Sequence, residues 1–303
     1  MKTEIECFDH KKCTPYRLSV CNSCGINPYR MGHRVKFYMV LSGSSLDKKL
    51  GFYPFIMMPA GYFFSKIKHL FSLTKYIPPH NSLFLDSGGF TLLSKWHKYP
   101  FTIEQYMNLL KKLKPNLAAT MDYPCEPTLE ITKSESKLQI PVKERINKTI
   151  ENNDIMLNNY YLNGTKIIPV IQGWKLNDYY FCIDEMHKKD LLTDYVAFGS
   201  MCQRTKGKKL CYKVINHLRK YSDTKIHFFG FKISMLKDYG IYSKIYSCDT
   251  AAWTHNPYDK TRRGGKNIYV KTQKELERNW YIYLNKIEKL HNKFIGQQKL
   301  IER

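Results

Sequence analysis

The chain has 303 residues, 49 Lys and Arg against 26 Asp and Glu, and a formal charge of +23. That length suits one large α/β domain or two smaller ones with a full core, and its nine cysteines are too sparse for a disulfide scaffold. No apolar run of about eighteen residues marks a membrane span, and the polar start MKTEIECFDHKK is no signal peptide, so a soluble, cytoplasmic protein is expected, in the host cytoplasm if the source is viral.

The charge excess points to a polyanionic partner, most simply nucleic acid. Part of it is compositional: only ten of the basic residues are Arg, and Lys, Asn, Ile and Tyr are all plentiful, as an AT-rich genome produces. A membrane-surface partner is not expected, because no basic amphipathic helix stands out.

Residues 1–34 read as a separate Cys-rich segment. CFDHKKCTPYRLSVCNSC supplies Cys7, Cys13, Cys21 and Cys24, with His10 and His33 nearby. The closing CNSC is a tight chelating pair followed by Gly25, the arrangement of a zinc knuckle. Structural zinc is the first reading. An iron–sulfur cluster satisfies the same thiolates, and free thiols in a loose arm are the plain alternative.

Residues 35–303 carry eight apolar, β-rich runs that end in Gly, Ser, Asp or Gln: VKFYMVLSG, PFIMMPAG, LFLDSGGF, LAATMDYP, KIIPVIQGW, YVAFGSM, IHFFGFK and KIYSCDTAAW. Short, nearly continuous runs suit strands buried on both faces, as in a parallel sheet. Helical patterns lie between most of them. FTIEQYMNLLKKLK starts with Thr102 and Gln105 as a capping box and keeps Ile103, Tyr106, Met107 and Leu110 on one face. The helix opened by Pro141 is expected to close near Gly164. KKLCYKVINHLRKY follows the sixth run, and a long helix ends the chain. EPTLEITKSESKLQ, from Glu126 to Gln139, reads as a polar surface excursion.

This alternation predicts a (β/α)8 TIM barrel, whose function gathers at the C-terminal ends of the strands. An open doubly wound sheet is the competitor, without a G-x-G-x-x-G or Walker sequence to support it. In a barrel the strand ends converge. They carry Asp86, Ser87, Gly88 and Gly89, then Asp122, then Gln172 and Gly173, then Gly199 and Ser200, and last Asp249. Three carboxylates and an amide, with glycines that let a flat ligand approach the backbone, describe a pocket for a planar hydrogen-bonding molecule. Paired carboxylates also suit glycosidic chemistry, one attacking the anomeric carbon while the other moves a proton at the leaving group. Held close, they push one pKa upward. A lone aspartate of this kind is as often a cap on the next element.

DSGGF, MDYP, VIQGW, AFGSM and SCDTAAW occur here in the order and strand positions that resemble the tRNA-guanine transglycosylase superfamily, over roughly Val35 to Trp253. The resemblance implies exchange of guanine in nucleic acid for a 7-deazaguanine without backbone cleavage. It implies Asp249 as the nucleophile that bonds to the sugar and Asp86 as the acid/base. Asp122, Gln172 and the Gly199 backbone then read the base, and Phe90, Tyr123 and Trp174 are aromatic candidates for stacking on it. The pattern departs from tRNA-acting members. Thr91 stands where they carry Gln after DSGGF. No Pro-Thr-Arg stretch follows Asp249, no cysteine follows it to build their zinc site, and no RNA-binding domain is appended. These departures are closer to the DpdA-type enzymes of phages and bacteria, which place 7-deazaguanines such as 7-cyano-7-deazaguanine into DNA.

Two basic stretches complete the expectation. Arg204 and Lys206, with Lys208 and Lys209, follow the sixth run, and Arg262, Arg263 and Lys266, with Lys260, follow the last one. Either can track a phosphate backbone or be a solvated loop. The alternatives are the same chemistry on tRNA, a non-catalytic nucleic-acid-binding partner subunit, and a barrel enzyme for a small phosphorylated metabolite. No redox or nucleotide cofactor is expected. A partner protein acting in guanine removal is a further candidate partner.

Overall fold

Every one of the eight apolar runs forms a strand in the computed structural model, which describes residues 35–41, 53–65, 67–127, 140–202, 207–254 and 273–301. The strands are β1 Lys36–Val40, β2 Tyr53–Pro59, β3 His80–Asp86, β4 Leu117–Ala119, β5 in two pieces, Lys166–Ile168 and Val170–Ile171, β6 Tyr195–Phe198, β7 Lys225–Phe228 and β8 Ser247–Thr250. Cys7, Cys13, Cys21 and Cys24, and the basic residues Arg204, Lys206, Arg262, Arg263 and Lys266, lie outside the described residues.

All neighbouring strands pair in parallel. The nine-stranded sheet runs from the first piece of β5 through β4, β3, β2, β1, β8, β7 and β6 to the second piece of β5. Its two ends are thus consecutive pieces of one run, and the sheet curls into a TIM-like barrel. Pro169 causes the break, because it has no N–H for the ladder. The carbonyls still pair: Thr120 N donates to Ile168 O at 3.1 Å and Ala197 N to Pro169 O at 2.9 Å. Side chains serve the next groups. Val170 N donates to Thr120 Oγ1 at 3.1 Å and Asn153 Oδ1 at 3.2 Å, while Asn153 Nδ2 donates to Val170 O at 2.9 Å.

Helices cover the outside: α1 Gly89–Trp96, α2 Ile103–Leu113, α3 Val142–Asn158, α4 Leu176–Lys188, α5 Lys208–Leu218, the short α6 Ile233–Leu236 and α7 Tyr239–Tyr242, and α8 Gln273–Ile301. The capping box of α2 forms as read, Gln105 N donating to Thr102 Oγ1 at 3.2 Å and Thr102 N to Gln105 Oε1 at 2.9 Å. α3 stops earlier than expected. Its buried stripe of Ile146, Ile150, Asn153 and Met156 ends two residues before Asn158, and beyond the helix Tyr160 and Leu162 still pack against the core. Gly164 instead makes a turn at φ +84° ahead of β5. Between β2 and β3 lie a single 3-10 turn, Ala60–Tyr62, and a small antiparallel hairpin, Phe64–Ser65 with Leu70–Phe71, among the described residues.

Two cores result. Helices and sheet enclose the larger one. The smaller fills the barrel with Tyr38, Phe55, Met57, Phe84, Ala119, Ile168, Val170, Tyr195 and Ala197. Burial of each large side chain contributes about 1.5–3 kcal/mol. Trp253, just past β8, donates from Nε1 to Val40 O at 3.2 Å and meets Trp280 of α8 edge-on at 5.3 Å, tying the last helix to the barrel.

Candidate active site

Strand side chains alternate between barrel interior and outer face. Counting in twos from the interior core places the strand-end residues above it: Phe84 leads to Asp86, Val170 to Gln172, Ala197 to Gly199. In β8, Ser247 leads to Asp249. In the ladder Asp86 stands opposite Pro59 of β2 and Asp249 opposite Tyr38 of β1. Asp86, Asp122, Gln172, Gly199, Ser200 and Asp249 therefore gather at one mouth, around an apolar floor.

Asp86 keeps a partly open face. Burial, and after it the negative charges of Asp122 and Asp249, raise its carboxyl to about 8 against the hydrogen bonds from the Gly88 and Ser87 N–H groups. Asp86 thus feels both of the other aspartates. At neutral pH Asp86 carries its proton. Gly88, at φ +80°, turns the chain into α1, and Gly89 lies so near that a Cβ there would stand 2.6 Å from both Asp122 O and Tyr99 Oη.

Asp122 is buried, with its carboxyl raised by burial and held back by hydrogen bonds from Ser87, Gln172 and its own backbone N–H. Ser87 Oγ donates to Oδ1 at 2.8 Å, and Gln172 Nε2 donates to Oδ2. Tyr99 Oη donates to its backbone carbonyl at 2.7 Å. The chain continues from Gln172 Oε1 to Ser200 Oγ at 2.7 Å, and from Ser200 Oγ to Glu126 Oε2 at 2.7 Å. Ser200 is held at φ +55°, an unfavourable conformation for a residue with a Cβ and one that clusters at functional sites. Gly199 is required sterically, since a Cβ there would overlap the Gln172 amide. Its N–H belongs to the barrel ladder, to Ile171 O at 3.0 Å, and Tyr179 Oη donates to its carbonyl at 2.9 Å. Gly173 sits against the first turn of α4, with no room for a Cβ beside Tyr179 N.

Glu126 corrects the sequence reading. Instead of opening a surface excursion it is buried, 2 % exposed, with Cys202 Sγ 3.5 Å from Oε1 and its carboxyl raised by burial. The pocket formed by β6 and the β4 loop supplies the burial, which the polar residues after Glu126 do not foretell.

Asp249 is also buried. Its Oδ1 accepts from Gly230 N at 2.9 Å and from His227 Nε2 at 3.1 Å. With Nε2 as donor, Nδ1 accepts from Ser247 Oγ at 2.5 Å, and Ser247 in turn takes a hydrogen bond from Tyr195. His227 is fully buried among Phe84 at 4.9 Å, Phe229 at 4.7 Å and Tyr38 at 6.0 Å. Among the described residues Asp249 Oδ2 has no hydrogen bond. One carboxylate oxygen is thus fixed and the other left for a ligand.

Of the aromatic candidates, Trp174 packs on the main core and Tyr123 on Leu93 and edge-on to Tyr99 at 5.8 Å, whereas Phe90 remains 39 % exposed beside Gly89. Among the described residues no group of His, Cys, Asp and Glu is arranged to hold a metal ion, and no helix is long and apolar enough to cross a membrane.

A parallel barrel gathers three aspartates at its mouth, one held by two donors through a single oxygen and one with its carboxyl raised to about 8, and such a strand-end site is where TIM-like barrels carry their function. A family model described as DpdA, DeoxyPurine in DNA protein A, matches residues 56–268, and the chain belongs to that family. It is accordingly a transglycosylase-type enzyme of DNA deoxypurine modification. The match contains Asp86, Asp122, Gln172 and Asp249. No curated protein matches the chain.

Proposed function

We propose that this enzyme exchanges guanine in DNA for a 7-deazaguanine, such as 7-cyano-7-deazaguanine, through a covalent Asp249–sugar intermediate. In the first step Asp249 Oδ2 bonds to C1′ of the deoxyribose as the C1′–N9 bond breaks, and Asp86 gives its proton to the departing guanine. In the second step the 7-deazaguanine attacks C1′ and gives its proton to Asp86, and the C1′–oxygen bond to Asp249 breaks. Charge and protons balance over the cycle, and no redox step occurs.

The observation that carries this reading is the division of labour between Asp249 and Asp86, whose carboxyl feels the Asp249 charge. Asp249 is anchored through one oxygen, while Asp86 is driven to about 8. A nucleophile must be ionised and a general acid must not be. Asp122 offers an acceptor to the N–H edge of a purine and Gln172 an amide donor. A base must leave the duplex to enter, at a cost of a few kcal/mol, and Phe90 offers it an exposed ring.

The charge of +23 supports polyanion binding, with Arg204, Lys206, Arg262, Arg263 and Lys266 assigned to the phosphate backbone. The four-thiolate set of Cys7, Cys13, Cys21 and Cys24 fits structural zinc, to which no catalytic step is assigned. Elemental analysis tests it: one zinc per chain is expected, and a metal-free folded protein refutes it.

The deciding experiment is labelled-guanine exchange with duplex DNA, single-stranded DNA and tRNA side by side, for the wild type and for Asp249→Asn. Exchange into DNA that vanishes in Asp249→Asn, with DNA binding kept, is the expected result. Exchange confined to tRNA, or retained by Asp249→Asn, overturns the reading.

A further inference from the structure

Ser200 Oγ has one proton, yet it lies 2.7 Å from two oxygens, Gln172 Oε1 and Glu126 Oε2, while also accepting from Cys125 N at 2.8 Å. With both carboxyls ionised, the hydroxyl can serve only one of the two, and the other contact sets lone pair against lone pair. Turning the Gln172 amide over does not help, because its oxygen then faces Asp122 Oδ2. One additional proton resolves every contact, and it has two placements. On Glu126 it is donated to Ser200, Ser200 donates to Gln172 Oε1, and Gln172 Nε2 donates to an ionised Asp122. On Asp122 it is donated to a reversed Gln172, whose nitrogen donates to Ser200, which donates to an ionised Glu126.

We infer that the Asp122–Gln172–Ser200–Glu126 chain carries one shared proton, and that Glu126, by holding it, keeps the Gln172 nitrogen turned toward Asp122 and the incoming base. The inference rests on the proposed guanine site and makes Glu126 its specificity-determining residue. In this placement the pocket shows an ionised acceptor and an amide N–H, which matches the N1–H and O6 of guanine. In the other placement an amide oxygen faces O6, and guanine is rejected. Burial of all four side chains, between 1 and 7 % exposed, keeps water from substituting for the missing donor. It also raises both carboxyls, the direction that a retained proton requires. The groups facing Glu126 are Asp122 and Cys125 on its own segment and Cys202 after β6; Arg145 of α3, which donates to Pro124 O at 2.8 Å, acts on Cys125, and Asp249 acts on Cys202.

The test is the Kd of free labelled guanine between pH 5 and pH 8 for wild type and Glu126→Gln. A glutamine donates to Ser200 without being able to lose the proton. Wild-type Kd is expected to rise about tenfold across the range, the value of one hydrogen bond to a charged group, while that of Glu126→Gln stays level at the tight value. Asp86, Asp122 and Asp249 are common to both proteins, so the contrast isolates Glu126. A Glu126→Gln protein that keeps the wild-type slope, or binds weakly at every pH, overturns the inference. Infrared spectra of wild type with ¹³C-labelled glutamate give an independent reading. A shifted protonated-carboxyl band at neutral pH is expected, and an unshifted band alone, from aspartate, refutes it. If wild type neither binds nor exchanges guanine, the proposed function fails first. If it does both and only the contrast is missing, the inference alone fails.

Discussion

His227 and Gly230 hold the same oxygen of Asp249, at 3.1 and 2.9 Å, from one strand and the turn that follows it. β7 thereby sets the orientation of a carboxylate borne by β8. His227→Phe fills the same aromatic surroundings but removes the N–H. Loss of a hydrogen bond to a charged group is worth about 1.5–3 kcal/mol, so guanine exchange should fall roughly 10- to 100-fold with DNA affinity unchanged. His227→Gln, which retains a donor, should recover part of the loss. Exchange rates beside circular dichroism check this, and equal rates for wild type and His227→Phe refute it.

Asp86 gives the exchange reaction an alkaline limb. If the protonated acid is the working form, kcat should be level below pH 8 and fall about tenfold per unit above about 8. A limb that does not move in Asp86→Glu speaks for another group.

The same carboxyl affects stability, with a definite sign. Its folded value lies above its unfolded value of 3.8, so the folded state binds the extra proton between the two. Its contribution is fully present below pH 3.8 and is lost as pH rises toward about 8. Asp86→Asn removes that loss. The variant should be inactive yet more stable than wild type at pH 8, by on the order of a few kcal/mol. Urea unfolding at pH 5 and pH 8 measures the difference.

Gly199→Ala should spoil base recognition without unfolding the barrel. The new methyl overlaps Gln172, and overpacking of this kind costs about 1–3 kcal/mol. KM for the incoming base should rise at least tenfold. Binding of DNA lacking a base at the target position should be unaffected.

Neutralising Arg262 and Arg263 together should weaken DNA binding and flatten its salt dependence by about two charges' worth. An unchanged slope removes them from the interface.

The barrel and most of its mouth were legible in the sequence, because each strand is a short apolar run and each run stops on a polar residue. Asp86, Asp122, Gln172 and Asp249 announce themselves in that way. His227 did not, lying inside IHFF where it reads as part of the run. Only the strand period exposes it, two residues before the inward Phe229, as Ser247 stands two before Asp249. Glu126 was hidden by its neighbours: what buries it is Ser200, 74 residues further on, and no local pattern encodes that. The helix α4 was masked by its aromatic content, although Tyr179, Cys182, Ile183 and Met186 keep helical spacing.

Pro169 leaves a seam in the barrel wall, and Asn153, borne by a helix outside the ring, laces it. The Val170 amide is therefore sheltered by side chains alone, three residues before Gly173 and two before Gln172. A shift of α3 would thus be passed through Asn153 to the strand that carries Gln172 and Gly173.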